Sequence, residues 1–346
     1  MAAVIFGVDL TCPGQHPPKP KEFLRSQMQL SASQIADIQK GKAVAKILAS
    51  PNPSDIFVFG AVYIHAKPGA YLQLMKDIER LGKLSGYLGA GEFSKTPAIR
   101  DMDGLSLDKD DIKDLRDCRP DNCELQLPEE SMESARNAID WDSPNLTQQV
   151  NDLAKHRILK LVESYQQKGD SVLGTYRDKR APRPVAEHFQ SVLSRVEFFP
   201  QYLPDLNRYL LEYPQSKPAG TEDLFYWEKV NFGLKPTLRV NHTIVYHPPG
   251  DGQRVYVLAI KQLYATHYFQ TAIDLSFCVQ DTGRAEESGF YLITVKASRQ
   301  AGLTGFKGGL VRSVAVTKTR SSLARVLENI RKTLEHPDSA REKPPS

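Results

Sequence analysis

The stretch Lys261-Gln-Leu-Tyr264-Ala-Thr-His267-Tyr268-Phe269 gathers several groups able to move a proton. His267 offers a general base and Tyr264 or Tyr268 a proton donor, since imidazole titrates near neutrality and a phenol can donate. The stretch falls at the junction of two strands, where side chains can converge on the mouth of a cavity. The plainer alternative is half-buried packing, with aromatics and a histidine at a strand bend holding satisfied hydrogen bonds. No catalytic residue is assigned from this pattern. A cyclase- or hydrolase-like enzyme using His267 with Tyr264 or Tyr268 stands as the alternative to a binding protein.

Other polar clusters are weaker. His242 and His247 lie five apart on one strand, which sends them to opposite faces and prevents a shared metal. His65 and His188 have no ligand motif beside them. A nucleophile elbow, a Walker loop, a dinucleotide fingerprint and His-Glu-x-x-His are all missing, so no cofactor is expected. Gly305-Phe-Lys-Gly-Gly309 lacks the Gly-Lys-Ser/Thr ending of a phosphate loop. The run Asp108-Lys-Asp-Asp-Ile-Lys-Asp-Leu115 alternates in sign and lacks the glycine and terminal glutamate of a calcium loop. Among the 4 cysteines, Cys118-Arg-Pro-Asp-Asn-Cys123 is the close pair. Its spacer can turn sharply enough to join the sulfurs, so a disulfide is set against two free thiols. Zinc would need two further ligands. Cys278, in an apolar strand, reads as core.

Elements must position these groups, and the composition allows a large core. The 346 residues are 40% hydrophobic and 25% charged, in the range of a globular chain. The 45 basic and 41 acidic residues are interleaved, which gives no electrostatic footprint for nucleic acid. No run approaches the ~20 apolar residues of a membrane span. Pro13, Pro17, Pro18 and Pro20 make residues 1–30 a stiff tail or linker. The proline-rich start and the cysteine pair favour an exported, periplasmic protein; a cytoplasmic one is the alternative.

The Ser31–Gln34 capping box opens a short helix that Gly41 ends. Ala43–Ala49 and Asp55–Ala66 read as strands. Tyr71, Leu74, Met75, Ile78 and Leu81 recur at helical steps after Pro68. Tyr87–Phe93 and Cys123–Leu127 read as strands, with a helix over Asp108–Cys118 between them. Residues 128–220 form a helical insertion, its longest helix near Leu146–Gly169 with Val150, Leu153, Ile158, Leu161 and Tyr165 toward one face. Five strands follow: Phe225–Asn231, Leu238–His247, Val255–Thr266, Gln270–Val279 and Gly289–Ala297. Pro248-Pro-Gly-Asp-Gly252 is the clearest hairpin loop. A glycine-rich loop over 302–309 leads to a final helix near Lys318–Leu334, and residues 336–346 read as a disordered tail.

That order, with the stretch Val58-Phe-Gly-Ala-Val-Tyr-Ile-His-Ala-Lys-Pro-Gly-Ala-Tyr-Leu-Gln-Leu-Met-Lys-Asp-Ile78 at its opening and Leu323, Leu327 and Leu334 on its closing helix, resembles the START-like (helix-grip) superfamily of lipid-transfer and polyketide cyclase-like proteins. The Asp-Cys…Cys and Tyr-Ala-Thr-His-Tyr signatures are similar to those of a family of bacterial proteins. The resemblance covers about two-thirds of the chain, in two pieces around the helical insertion. It implies an α+β domain over 31–335, with a curved antiparallel sheet gripping a long C-terminal helix. It also implies that a hydrophobic small molecule or lipid sits between sheet and helix. Tyr264, His267, Tyr268, Ile273, Leu275, Phe277, Leu323 and Leu327 are the expected ligand-binding residues. Ile273, Leu275, Phe277 and Val279 alternate with Ala272, Asp274, Ser276 and Cys278, so the first set would form the cavity wall. Glycines 302, 305, 308 and 309 would let the preceding loop act as a gate. The insertion is free to cap that cavity, fill it, or bind a protein partner.

Overall fold

The computed structural model describes residues 19–232, 235–249, 254–280, 289–303 and 305–337. Pro13, Pro17, Pro18, Cys12, the tip of the Pro248–Gly252 hairpin loop and the tail beyond Pro337 lie outside the described residues.

The chain enters as helix α1 (Pro20–Ser26), whose Phe23 and Leu24 are buried in the main core. The tail reading of residues 1–30 therefore stops at Lys19, because two large apolar side chains dock the segment. Helix α2 (Ala32–Gln39) carries the full Ser31–Gln34 capping box. Strands β1 (Val44–Leu48) and β2 (Asp55–Ile64) follow. The helix after Pro68 is two helices, α3 (Pro68–Lys76) and α4 (Ile78–Gly82). Asp77 leaves helical geometry between them, and its carboxylate accepts from the Arg80 N–H to start α4.

After β3 (Tyr87–Glu92) comes the helical block: α5 (Lys109–Asp117), α6 (Glu129–Ala138), α7 (Leu146–Lys168), α8 (Val185–Leu193), α9 (Phe198–Tyr202) and α10 (Pro204–Glu212). Two short strands, β4 (Thr175–Tyr176) and β5 (Arg183–Pro184), pair between α7 and α8. The insertion begins before Pro128, at α5. Cys123–Leu127 is not a strand. It hydrogen-bonds instead to Thr266, Arg177 and Asp178. Strands β6 (Thr221–Val230), β7 (Thr237–Tyr246), β8 (Val255–Ala265), β9 (Phe269–Gln280) and β10 (Phe290–Gln300) then run as an antiparallel meander. Helix α11 (Gly305–Glu335) closes the fold.

The eight strands make one antiparallel sheet in the order β1-β2-β10-β9-β8-β7-β6-β3. Together with the long closing helix this is a helix-grip arrangement. Every residue of β2 is buried, so both faces of the sheet are covered. Ile56, Val58, Val62, Phe290, Leu292 and Cys278 pack with Leu323 and Leu327 of α11 on one face, called inner below. Phe57, Phe59, Ala61, Ile273, Leu275 and Val295 pack with Ile158, Val162, Phe189 and Leu206 of the helical block on the other, outer face.

The glycine-rich segment expected as a gate is the first turns of α11 from Gly305 onward. Glycine costs a helix about 1 kcal/mol per residue relative to alanine but does not forbid it. Helix α11 seats on β2 at Gly60, where an added Cβ would lie 2.7 Å from Leu327 Cδ1 and 2.9 Å from Leu323 Cγ. No space is left between helix and strand there. Gly60→Ala is accordingly expected to lower unfolding stability by about 1–3 kcal/mol through overpacking. Urea titration measures it, and Leu327→Ala in the same chain should recover part of the loss. An unchanged midpoint would mean that α11 does not rest on this residue.

Candidate functional site

A cavity of about 670 Å³ lies on the outer face, between the helical block and strands β7 and β8. Its floor is Leu238, Leu263, Tyr264 and Thr266 from the sheet. Leu115, Leu125 and Leu127 wall one side, and Val150, Leu153, Ile158 and Leu161 of α7 wall another. The α7 residues are four of the five placed on one face by their helical spacing. Tyr264 sits on a strand beneath the helical layer yet stays partly exposed. Its ring meets that of Tyr176 edge-on at 6.2 Å. Burial pushes the Tyr264 phenol well up, so it stays a neutral donor.

The wall beside α5 is fastened to the β8–β9 turn by polar groups. Gln126 is buried; its backbone N–H donates to Thr266 O at 2.8 Å, and its amide donates to Ala265 O and Phe269 O at 3.1 and 3.0 Å. His267 is 3% exposed, with Nε2 2.9 Å from Asp111 Oδ1 and Nδ1 3.1 Å from Glu124 O. Each ring nitrogen thus faces an oxygen of the α5–Gln126 segment. Tyr268 adopts φ 62°, and its hydroxyl accepts from the Lys235 N–H at 3.0 Å. Such a backbone is unusual for a bulky residue and is held by its surroundings. The Cys118–Cys123 disulfide closes the same segment between α5 and Gln126.

The eight expected ligand-binding residues do not share one cavity. Tyr264 lines the outer-face cavity, whereas His267 and Tyr268 are engaged as braces of the turn beside it. Ile273, Leu275 and Phe277 do alternate as read, yet they face the helical block, and Phe277 packs on Phe198 and Phe199. Leu323 and Leu327 lie across the sheet from them on the inner face. The period of two fixes which residues share a face but not which layer covers that face. The continuous apolar run of β2, read in sequence as a strong strand, carried the missing signal: an unbroken run marks a strand buried on both sides.

Two further buried polar groups brace the outer face. Lys261 is fully buried, 2.5 Å from Asp170 Oδ1, 2.9 Å from Leu210 O and 3.9 Å from the Phe189 ring centre. Burial pushes this ammonium down, against the pull of Asp170. His242 is also fully buried; it stacks on Phe225 and bonds Asp223 at 2.8 Å, which also accepts from the Tyr209 hydroxyl and from Lys217. His247 lies just past the end of β7; its Nδ1 is 3.0 Å from Val255 O and its ring stacks on Tyr256, which packs against the inner-face core. Among the described residues no group of His, Cys, Asp and Glu could hold a metal ion.

The inner face carries a polar row that sequence reading missed. Glu228 lies 3.0 Å from Arg239, and it accepts from Asn241 at 3.2 Å. Arg239 also donates to Gln262 at 3.2 Å, and Lys296 pairs with Asp274. Burial pushes the Glu228 carboxyl up while Arg239 pulls it down. Each charge has its partner within the row.

No family model matches the chain, and no curated protein matches it. Solved structures that match include the crystal structure of the Zhui aromatase/cyclase from Streptomyces sp. R1128. It is 10% identical, the match covers 44% of this chain and 90% of that one, and the TM-score is 0.23. The fold assignment rests on the strand order and the closing helix.

His267→Ala should leave Asp111 buried without its partner and lower stability by about 3 kcal/mol. Thermal and urea unfolding read this directly. A variant as stable as the parent would release His267 from its bracing role.

Proposed function

We propose that this protein binds a hydrophobic small molecule, and that the ligand sits in the outer-face cavity. The carrying observation is the cavity itself: about 670 Å³, walled largely by leucine, valine and isoleucine. Ligand sites are typically ~300–1,000 Å³, mostly apolar, with a few polar groups to orient the guest. Tyr264 supplies one such group at the floor. The ligand's place thus moves from the gap beneath the closing helix to the opposite face of the sheet, because α11 packs directly on Gly60. The START-like resemblance and the strand order support a ligand-binding scaffold in general. An apolar docking surface on residues 128–220 has less support, since among the described residues the large exposed hydrophobic ones are Ile47, Leu84, Leu88, Phe232, Leu310, Val311, Val314 and Val326.

Ala154, on α7, lines the cavity. Ala154→Phe should fill part of the space and weaken uptake of a neutral fluorescent probe such as Nile red by about tenfold or more, equivalent to ~1.4 kcal/mol. Melting temperature serves as the control for folding. Equal uptake by a folded variant would remove the cavity as the site.

Export is proposed alongside this reading. It is supported by the Cys118–Cys123 bond. Among the described residues no helix is long and apolar enough to cross a membrane. Thiol titration of the denatured protein, isolated from its native host under alkylating conditions, should count 2 free thiols of the 4 cysteines. Four free thiols would remove the support for export.

A further inference from the structure

Helix α11 buries one side and leaves the other bare. Val316, Leu323 and Leu327 sit in the inner-face core. At about 100° per residue, Leu310, Val314, Lys318, Arg325 and Lys332 return to one stripe on the side opposite those three, with Val311 alongside. All six are exposed. The stripe changes character along its length. Its first part is aliphatic, with Leu310 66%, Val311 51% and Val314 54% exposed. The rest is cationic. Single exposed aliphatics are ordinary on a protein surface, but three within five residues of one helix form a patch.

The charge beside the patch is one-sided. From Gly305 to Leu327 the sequence carries Lys307, Arg312, Lys318, Arg320 and Arg325 and no aspartate or glutamate. Arg312 is engaged by Asp55 O at 3.1 Å. The acids farther along are taken up by the fold. Glu328 accepts from the Ala43 N–H at 2.7 Å and pairs with Arg331. Glu335 accepts from the His65 N–H at 2.9 Å and pairs with the same arginine. Lys318, Arg325 and Lys332 thus face solvent as a row of like charge that continues the aliphatic patch.

We infer that this face of α11 docks the protein reversibly on an anionic lipid bilayer. Leu310, Val311 and Val314 enter the headgroup layer, and Lys318, Arg325 and Lys332 lie along the lipid phosphates. The charge decides between occupants. A second copy seated on the same face would bring one cationic row against another, which is repulsive. A stable protein interface of standard size takes roughly 20–30 residues a side, and three aliphatic side chains do not make the core of one. A bilayer requires no such area, because each inserted side chain and each cation near an anionic surface adds its own increment. The inference stands apart from the cavity reading, since α11 lies across the sheet from that chamber.

The test is co-sedimentation of the full chain with vesicles of phosphatidylcholine alone and of phosphatidylcholine mixed with phosphatidylglycerol. At low salt the mixed vesicles are expected to bind at least about tenfold more tightly, since each cation near an anionic surface adds attraction. Added salt should erase most of that difference by screening. Joint replacement of Lys318, Arg325 and Lys332 by glutamine should reduce binding to the level of phosphatidylcholine alone. Leu310→Ser with Val314→Ser, at exposed positions, should weaken binding to mixed vesicles by about tenfold with melting temperature unchanged, the range expected for removing two partly inserted aliphatic side chains. Ala154→Phe, which fills the cavity, should bind vesicles as the parent does. Equal binding to both vesicle types, or to neither, overturns the inference. So does a dimer in sedimentation velocity that the Leu310 and Val314 changes dissociate, because a second copy then covers the face.

Discussion

Two-sided burial of the sheet is the constraint from which the rest of the structure follows. Strand β2 hides all ten of its residues, so neither face can be left to water. One helix cannot cover eight strands. Helix α11 packs along β1 and β2 at one side of the inner face, and the outer face needs a layer of its own. The block from α5 to α10 supplies it, with α1 and α2 adding Phe23, Leu24, Ile35 and Ile38. Each buried leucine, isoleucine or phenylalanine contributes about 1.5–3 kcal/mol relative to exposure. Residues 93–220 are therefore a second wall of the core more than a decoration on a grip.

Much of this was legible in the sequence, within limits set by what each signal measures. Alternation in β9 correctly separated Ile273, Leu275 and Phe277 from Asp274, Ser276 and Cys278. Helical spacing placed Val150, Leu153, Ile158 and Leu161 of α7 together, and they now line the cavity. Spacing reports which residues share a face, and long-range pairing decides what the face meets. His267 meets Asp111 across 156 positions, and Gln126 meets Ala265 across 139. Nothing local in Lys261–Phe269 distinguishes a catalytic histidine from a brace of this kind. The glycines at 305, 308 and 309 read as a loop because glycine is a poor helix former, a preference that weighs against a helix without forbidding it.

The two faces treat polarity in opposite ways. On the inner face the charges of Glu228, Arg239, Asp274 and Lys296 neutralise one another, with Asn241 and Gln262 satisfying further donors and acceptors. Replacing such a network by apolar residues of similar volume is often neutral or stabilising, so it argues weakly for stability. It does fix which partner each strand residue must meet, since a shift in register would leave an unpaired buried charge. On the outer face the polar groups sit at the margins of the cavity, where they pin its walls in place.

That arrangement explains how the fold can hold an aliphatic chamber open. Leucine and valine side chains ordinarily close up to near-crystalline density, and the surrounding core does so at Phe189, Phe199 and Leu206. Collapse of the chamber would require α7 or the Cys118–Leu127 segment to move toward β8. The segment is held by Gln126 on the turn backbone, by Asp111 and Glu124 on His267, and by the disulfide at its start. Helix α7 is held farther along, where Tyr165 stacks on Tyr213 beside the Lys261–Asp170 pair. Each tether is directional and fails if its groups shift by about an ångström. Apolar attraction alone, being non-directional, would draw the walls together; the polar fastening at both ends prevents it, and what lies between remains wide enough for a guest.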